Sequence, residues 1–154
     1  MGAFSACESL ADLNIPNGMT KIEGAAFAGT GLTSIVLPSG VTNIEGSTFS
    51  RCSALVRVTL HGGISAIGNR AFEQCSALTE IDIPNGVQAL GGGIISNCTA
   101  LKSVSIPKSV TRIDGDLFFG CTDVMVYTPA KSIASKCFTA PQFVGRVAVR
   151  DLKG

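Results

Sequence analysis

Four cysteines, Cys52, Cys75, Cys98 and Cys121, follow one another at a constant interval of 23 residues. Leu55, Leu78, Leu101 and Val124 stand three residues after each of them. A fixed period of this size is the signature of a solenoid, a stack of near-identical coils in which each coil packs only on its neighbours. No single central core is needed, so the repeat has to be read before any local motif.

Five units follow from this frame: 7–29, 30–51, 52–74, 75–97 and 98–120, after a partial repeat at 1–6. Thr30 holds the cysteine column in the second unit, which is one residue short because Gly31 stands for two residues before Leu32. Each unit opens on an apolar trio: Leu10, Leu13, Ile15; Leu32, Ile35, Leu37; Leu55, Val58, Leu60; Leu78, Ile81, Ile83; Leu101, Val104, Ile106. The last two of each trio alternate with a more polar residue, the period of a half-buried strand. Pro16, Pro38, Pro84 and Pro107 then close the strand, since proline cannot donate to a ladder. Turn pairs such as Asn17-Gly18 and Asn85-Gly86 come next.

A second apolar pair recurs in every unit, for example Val41 and Ile44, or Val87 and Leu90. The glycines after it (Gly24, Gly46, Gly68, Gly91, Gly115) suit a turn with unusual dihedrals. Phe27, Phe49, Phe72, Ile95 and Phe118 precede the next column position by three residues, so one helical turn would place both on the same inward face. An aromatic column present in each unit is a core spine rather than a cofactor box.

Cys7 joins the four spaced cysteines and Thr30 in one column. Paired C-x2-C zinc spacing is absent, and in-register parallel side chains have poor disulfide geometry even at one strand spacing. The column therefore reads as buried reduced thiols behaving as small hydrophobes. Net charge is +1 with 15% charged residues and no basic cluster, which leaves no electrostatic case for nucleic acid. Apolar runs are too short to span a bilayer, and the N-terminus lacks the basic start and apolar region of a signal peptide. The chain starts inside a repeat with no polar cap before it, so it reads as cut from a longer array and open to end-to-end self-association through that coil.

After Cys121 the pattern decays. Val124-Met-Val126-Tyr127-Thr128-Pro129 gives a shortened last strand, and Lys131 to Phe138 reads as a short amphipathic helix. Residues 121–144 are expected to cap the array, and 145–154 to form a strand along the cap or a linker.

Asn69-Arg70-Ala71-Phe72-Glu-Gln-Cys75-Ser-Ala-Leu78-Thr-Glu-Ile81-Asp-Ile83-Pro84 resembles the BspA-like (Treponema pallidum type) leucine-rich repeat almost position for position. The resemblance extends from residue 3 to about residue 129; His61 for proline, Ile94-Ile95 for Ala-Phe and Thr30 for cysteine are its departures. It implies an α/β leucine-rich repeat solenoid, right-handed and curved, with a short parallel sheet on the concave face. Members are typically surface or secreted proteins, and several are adhesins or bind host and matrix proteins. What the resemblance implies here is a protein-binding or adhesive module of a larger surface protein, with no catalytic residues and no cofactor. The alternative is a spacer that positions other domains.

Strand residues pointing away from the core are what a partner would meet: Asp12, Asn14, Ser34, Val36, Arg57, Thr59, Glu80, Asp82, Ser103, Ser105 and Tyr127. Arg and Tyr are favoured anchors. Five or six short strands offer roughly 400–500 Å² of projected surface, against ~800 Å² per side for a standard interface. Such a module binds weakly alone, or as part of a longer array. Other constellations point nowhere stronger. His61, the sole histidine, has only Cys137 as an off-column thiol partner, and nothing in register joins them. Asp114 and Asp116 flank a turn, and Gly91-Gly92-Gly93 lacks the Lys-Ser/Thr of a phosphate loop.

Overall fold

The computed structural model describes residues 2–129 and the strand at 146–148. It is a stack of coils with parallel strands, and no helix occurs among the described residues, so the expected α/β class is corrected to an all-β solenoid. The expected helix at 131–138 lies outside the described residues.

Each coil contributes up to two strands, in two columns. The first column holds β1 (Ser34–Val36), β3 (Arg57–Thr59), β5 (Glu80–Asp82), β7 (Ser103–Ser105) and β9 (Met125–Tyr127). The second holds β2 (Asn43–Ile44), β4 (Ala66–Ile67), β6 (Ala89–Leu90) and β8 (Arg112–Ile113), an unbroken parallel sheet where only an apolar pair was foreseen. The tail strand β10 (Arg146–Ala148) pairs parallel to β9 with Arg146 opposite Met125. Leu10, Leu13 and Ile15 form no strand. The first coil meets the second through Thr33 N–H to Ala11 O at 3.2 Å, and the missing residue of the second unit falls at this junction.

Between the second strand column and the cysteines the chain runs through consecutive turns, not a helical turn. In the first such segment Ala26, Ala28 and Thr30 N–H each donate to the carbonyl three residues back, on Glu23, Ala25 and Phe27. The intervening donors of Ala25, Phe27 and Gly29 reach Gly46, Thr48 and Ser50 O of the next coil at 3.0, 3.0 and 2.8 Å. Every backbone donor in this segment is therefore used, alternately within and between coils, which a helix would not permit.

The core is the set of expected columns. Phe49, Phe72 and Phe118 are buried, and the rings of Phe4, Phe27, Phe49 and Phe72 stack in series with centroids 5.7, 5.5 and 5.4 Å apart. Cys52, Cys75, Cys98 and Cys121 are free and buried, whereas Cys7 of the same column is exposed, which corrects its expected burial. These four thiols do more than fill space. Each donates to a carbonyl 25 or 26 residues back, one level down the stack: Cys52 to Phe27, Cys75 to Phe49, Cys98 to Phe72 and Cys121 to Ile95, at 3.0–3.2 Å. Thr30 instead donates to Phe27 O, three residues back along its own chain, at 2.9 Å and lies 3.3 Å from Cys52 Sγ.

The glycine column has a different cause from the one expected. Of its members only Gly115 has a positive φ; Gly24, Gly46, Gly68 and Gly91 do not. Close approach of coils is the reason at Gly68, where a Cβ would lie 2.7 Å from Gly46 N and 2.9 Å from Glu45 C. Both are backbone atoms that cannot swing aside. Gly68→Ala is accordingly expected to cost about 1–3 kcal/mol, as overpacking does. An unchanged urea midpoint would show that the coils part freely there.

Candidate functional site

Alternation along each first-column strand puts one residue in and two out. Ile35, Ile81, Val104 and Val126 are buried, while Ser34, Val36, Arg57, Thr59, Glu80 and Asp82 are exposed. The parallel register aligns the outward residues in rows, with Ser34 opposite Arg57, Val36 opposite Thr59, Glu80 opposite Ser103, and Asp82 opposite Ser105 and then Tyr127. Ser103, Ser105 and Tyr127 are half-buried. Asp12 and Asn14 are exposed but lie on no strand. Met125, opposite Ser103, belongs to the face and was not foreseen.

Among the described strands of this face the ladder breaks once. No ladder joins β3 to β5: the column is divided into β1–β3 and β5–β7–β9–β10, although the second column stays continuous across the same coils. Elsewhere the ladder is framed by bonds such as Val56 N–H to Thr33 O and Leu37 N–H to Thr59 O. Their counterparts one coil on, Thr79 N–H to Val56 O and Leu60 N–H to Asp82 O, are not formed. Val58 and Leu60 are half-buried where Ile81 and Ile83 of the next coil are buried. A cleft of about 230 Å³ opens here, lined by Arg57, Val58, Thr59, Leu60, Glu80 and Asp82.

The break coincides with the unit that has His61 in place of proline. His61 Nδ1 accepts Gly63 N–H at 3.1 Å, so the ring folds over its own turn, and its Nε2 is buried without a partner. Sequence reasoning placed Arg57, Glu80 and Asp82 outward by register, with the other strand-face residues, on one parallel sheet. The signal that marked the irregular unit was the departure at His61.

Charge on this cleft is uncompensated. The ion pairs among the described residues are Lys21–Glu23 and Arg112–Asp114, each 2.8 Å, and neither involves Arg57, Glu80 or Asp82. The guanidinium of Arg112 holds the Asp114 carboxyl below its ordinary range, and Asp116 Oδ1 accepts Phe118 N–H at 2.9 Å. Both aspartates are thus engaged within the fold. No group of three or more His, Cys, Asp or Glu arranged to hold a metal occurs among the described residues. Nor does any described helix have the length and apolarity to cross a membrane.

Known structures place this coil stack in context. It is similar to the leucine-rich repeat protein of Treponema pallidum, with 26% identity and a TM-score of 0.59 over 70% of this chain and 56% of that one. A leucine-rich repeat protein of Bacteroides ovatus matches in fold, at 22% identity and TM-score 0.62 over 93% of this chain and 49% of that one. A leucine-rich cell surface protein of Faecalibacterium prausnitzii matches at 29% identity and TM-score 0.61 over 66% of this chain and 31% of that one. The chain thus spans about half or less of the length of these relatives. Among curated proteins none matches. The model of the BspA type leucine-rich repeat region matches residues 1–125 in six copies, and the chain belongs to that family.

Proposed function

We propose that the chain is a protein-recognition module of a larger cell-surface protein, and that its exposed strand face reads the partner around the cleft between β3 and β5. The observation that carries this reading is the coincidence of three unpaired charges, Arg57, Glu80 and Asp82, with the one interruption of the ladder. On β1, β7 and β9 the outward residues are uncharged. Exposed charges that form no ion pair with a neighbour are available to a partner of complementary pattern. Similarity to a leucine-rich cell surface protein supports the surface location.

The test is binding to an array of extracellular-matrix and host-surface proteins, with the chain displayed multivalently because the face is small. Substituting Arg57, Glu80 and Asp82 together by alanine should weaken capture at least about tenfold, the loss of one anchoring contact or more. Equal capture by both proteins would overturn the strand-face reading. Capture by neither is what a spacer would give.

A further inference from the structure

Two broad concavities lie off the strand face, over the consecutive turns. One of about 790 Å³ and one of about 750 Å³ share Ser47, Arg70 and Glu73, so they form a single trough running across the coils. Its shape comes from the backbone. Each of these segments carries two residues of positive φ four apart, such as Ser47 and Arg51, Arg70 and Gln74, or Gly93 and Asn97. Between them stands a column of mostly small residues, Ala28, Ser50 and Ser96, which leaves the floor low.

The lining says what could lie in it. Arg51 and Arg70 face Glu8 and Glu73 in equal number, which suits neither a polyanion nor a polycation. The cations form no ion pair within 4.0 Å. Donors and acceptors are mixed, with the amides of Asn69 and Asn97 beside the charged groups. A single large apolar group is present: Phe119, 50% exposed, at the end of the column that holds Ser50, Glu73 and Ser96. A phenyl face beside amide, carboxylate and guanidinium is what a pyranose ring uses. Its C–H face lies on the aromatic ring, and its hydroxyls, which donate and accept, satisfy groups of either kind.

Spacing separates the polymers that could run along a trough. Coils repeat at about 4.8 Å, close to the advance of one hexose in an extended chain, whereas an extended peptide repeats its facing residues at about 6.7 Å and drifts out of step. We propose that this trough binds a neutral oligosaccharide lengthwise, one sugar stacked on Phe119 and its hydroxyls and those of the next held by Asn97, Arg70 and Glu73. This site is independent of the strand face.

The full chain is titrated calorimetrically with cellohexaose, chitohexaose, mannohexaose and maltohexaose, and with an extended uncharged peptide of similar length. Saturable binding of at least one sugar is expected, weakened tenfold or more by Phe119→Ala and by Arg70→Ala. Phe119→Tyr, which keeps the ring, should retain it, and this separates lost stacking from a folding defect. The Arg57, Glu80 and Asp82 triple alanine variant should bind sugar as the wild type does, so this proposal and the strand-face reading fail separately. Absence of binding to all four sugars, indifference to Phe119→Ala, or binding of the peptide in their place would each overturn the proposal.

Discussion

Phe72→Ala is expected to destabilise the chain by about 3–5 kcal/mol, the range for removing a buried phenyl ring, and to split its unfolding into two steps. Phe72 is fully buried and lies parallel to Phe49, with centroids 5.4 Å apart and planes within 1°. The next member of the column is Ile95, so Phe72 is where the stacked rings end and an aliphatic contact takes over. In a coil stack each residue stabilises two interfaces, the one before and the one after it. Losing this ring weakens both at the level where the first-column sheet is already divided between β3 and β5. Coils on either side should then melt separately. Tyr127, the sole tyrosine in a chain without tryptophan, reports on the last coils, while far-UV dichroism reports on all of them. Non-coincident urea transitions by these two probes are the expected signature. Val36→Ala, which removes a side chain 66% exposed on β1, should stay within about 0.5 kcal/mol. A single coincident transition with under about 1 kcal/mol lost would show that the rings are not the spine.

How much of this was legible depends on which physical signal each feature leaves in the residues. The period, the buried columns and the first strand column all register as spacing, so Ile35, Ile81 and Val104 fall where alternation put them. The second column does not. Strands of two residues, such as Ala66–Ile67, are too short for any alternation to build up. The spacing from Phe to Cys suggested a helical turn because three residues separate them in either geometry. The structure uses left-handed positions at Ala25, Ser47 and Arg70 instead, residues that carry no glycine-like signal. For the same reason Gly68 was assigned an unusual dihedral when its cause is the backbone of Gly46 pressed against it. Close approach between coils is a property of the stack and leaves no local mark. Among the site residues, Arg57, Glu80 and Asp82 could be placed outward by counting, whereas the missing ladder beneath them could not. Only His61, a departure from the repeat, pointed to that unit. The trough was hidden for a related reason: Arg70 and Phe119 lie far apart in sequence and meet only when coils stack.

Raising the pH from 9 to 10 should remove about 2 kcal/mol of stability through Cys75 and Cys98 alone, about 1 kcal/mol per thiol, because the unfolded thiols go from half to mostly ionised over this unit. Burial pushes both thiols up from the ordinary value of 9.0, Cys98 to about 12 and Cys75 further, with neighbouring thiols of the column adding to the rise. Burial likewise raises Cys52 and Cys121. Because the folded state holds these protons more tightly than the unfolded chain, their contribution is fully present below pH 9 and falls as the pH climbs toward the folded values. Ionisation would also place charge in the core and remove the S–H donated to Phe49 O or Phe72 O one level down the stack. The measurement is the urea midpoint at pH 8, 9 and 10 under reducing conditions, for the wild type and for a Cys75→Ala, Cys98→Ala double variant. Lysine and tyrosine titrate equally in both proteins, so the difference between their pH slopes isolates the two thiols. The wild type should lose stability more steeply, by roughly 2 kcal/mol over the last unit, while the double variant starts lower and falls less. Parallel slopes would mean that the column thiols ionise as readily folded as unfolded, and the buried hydrogen-bonded column would have to be abandoned.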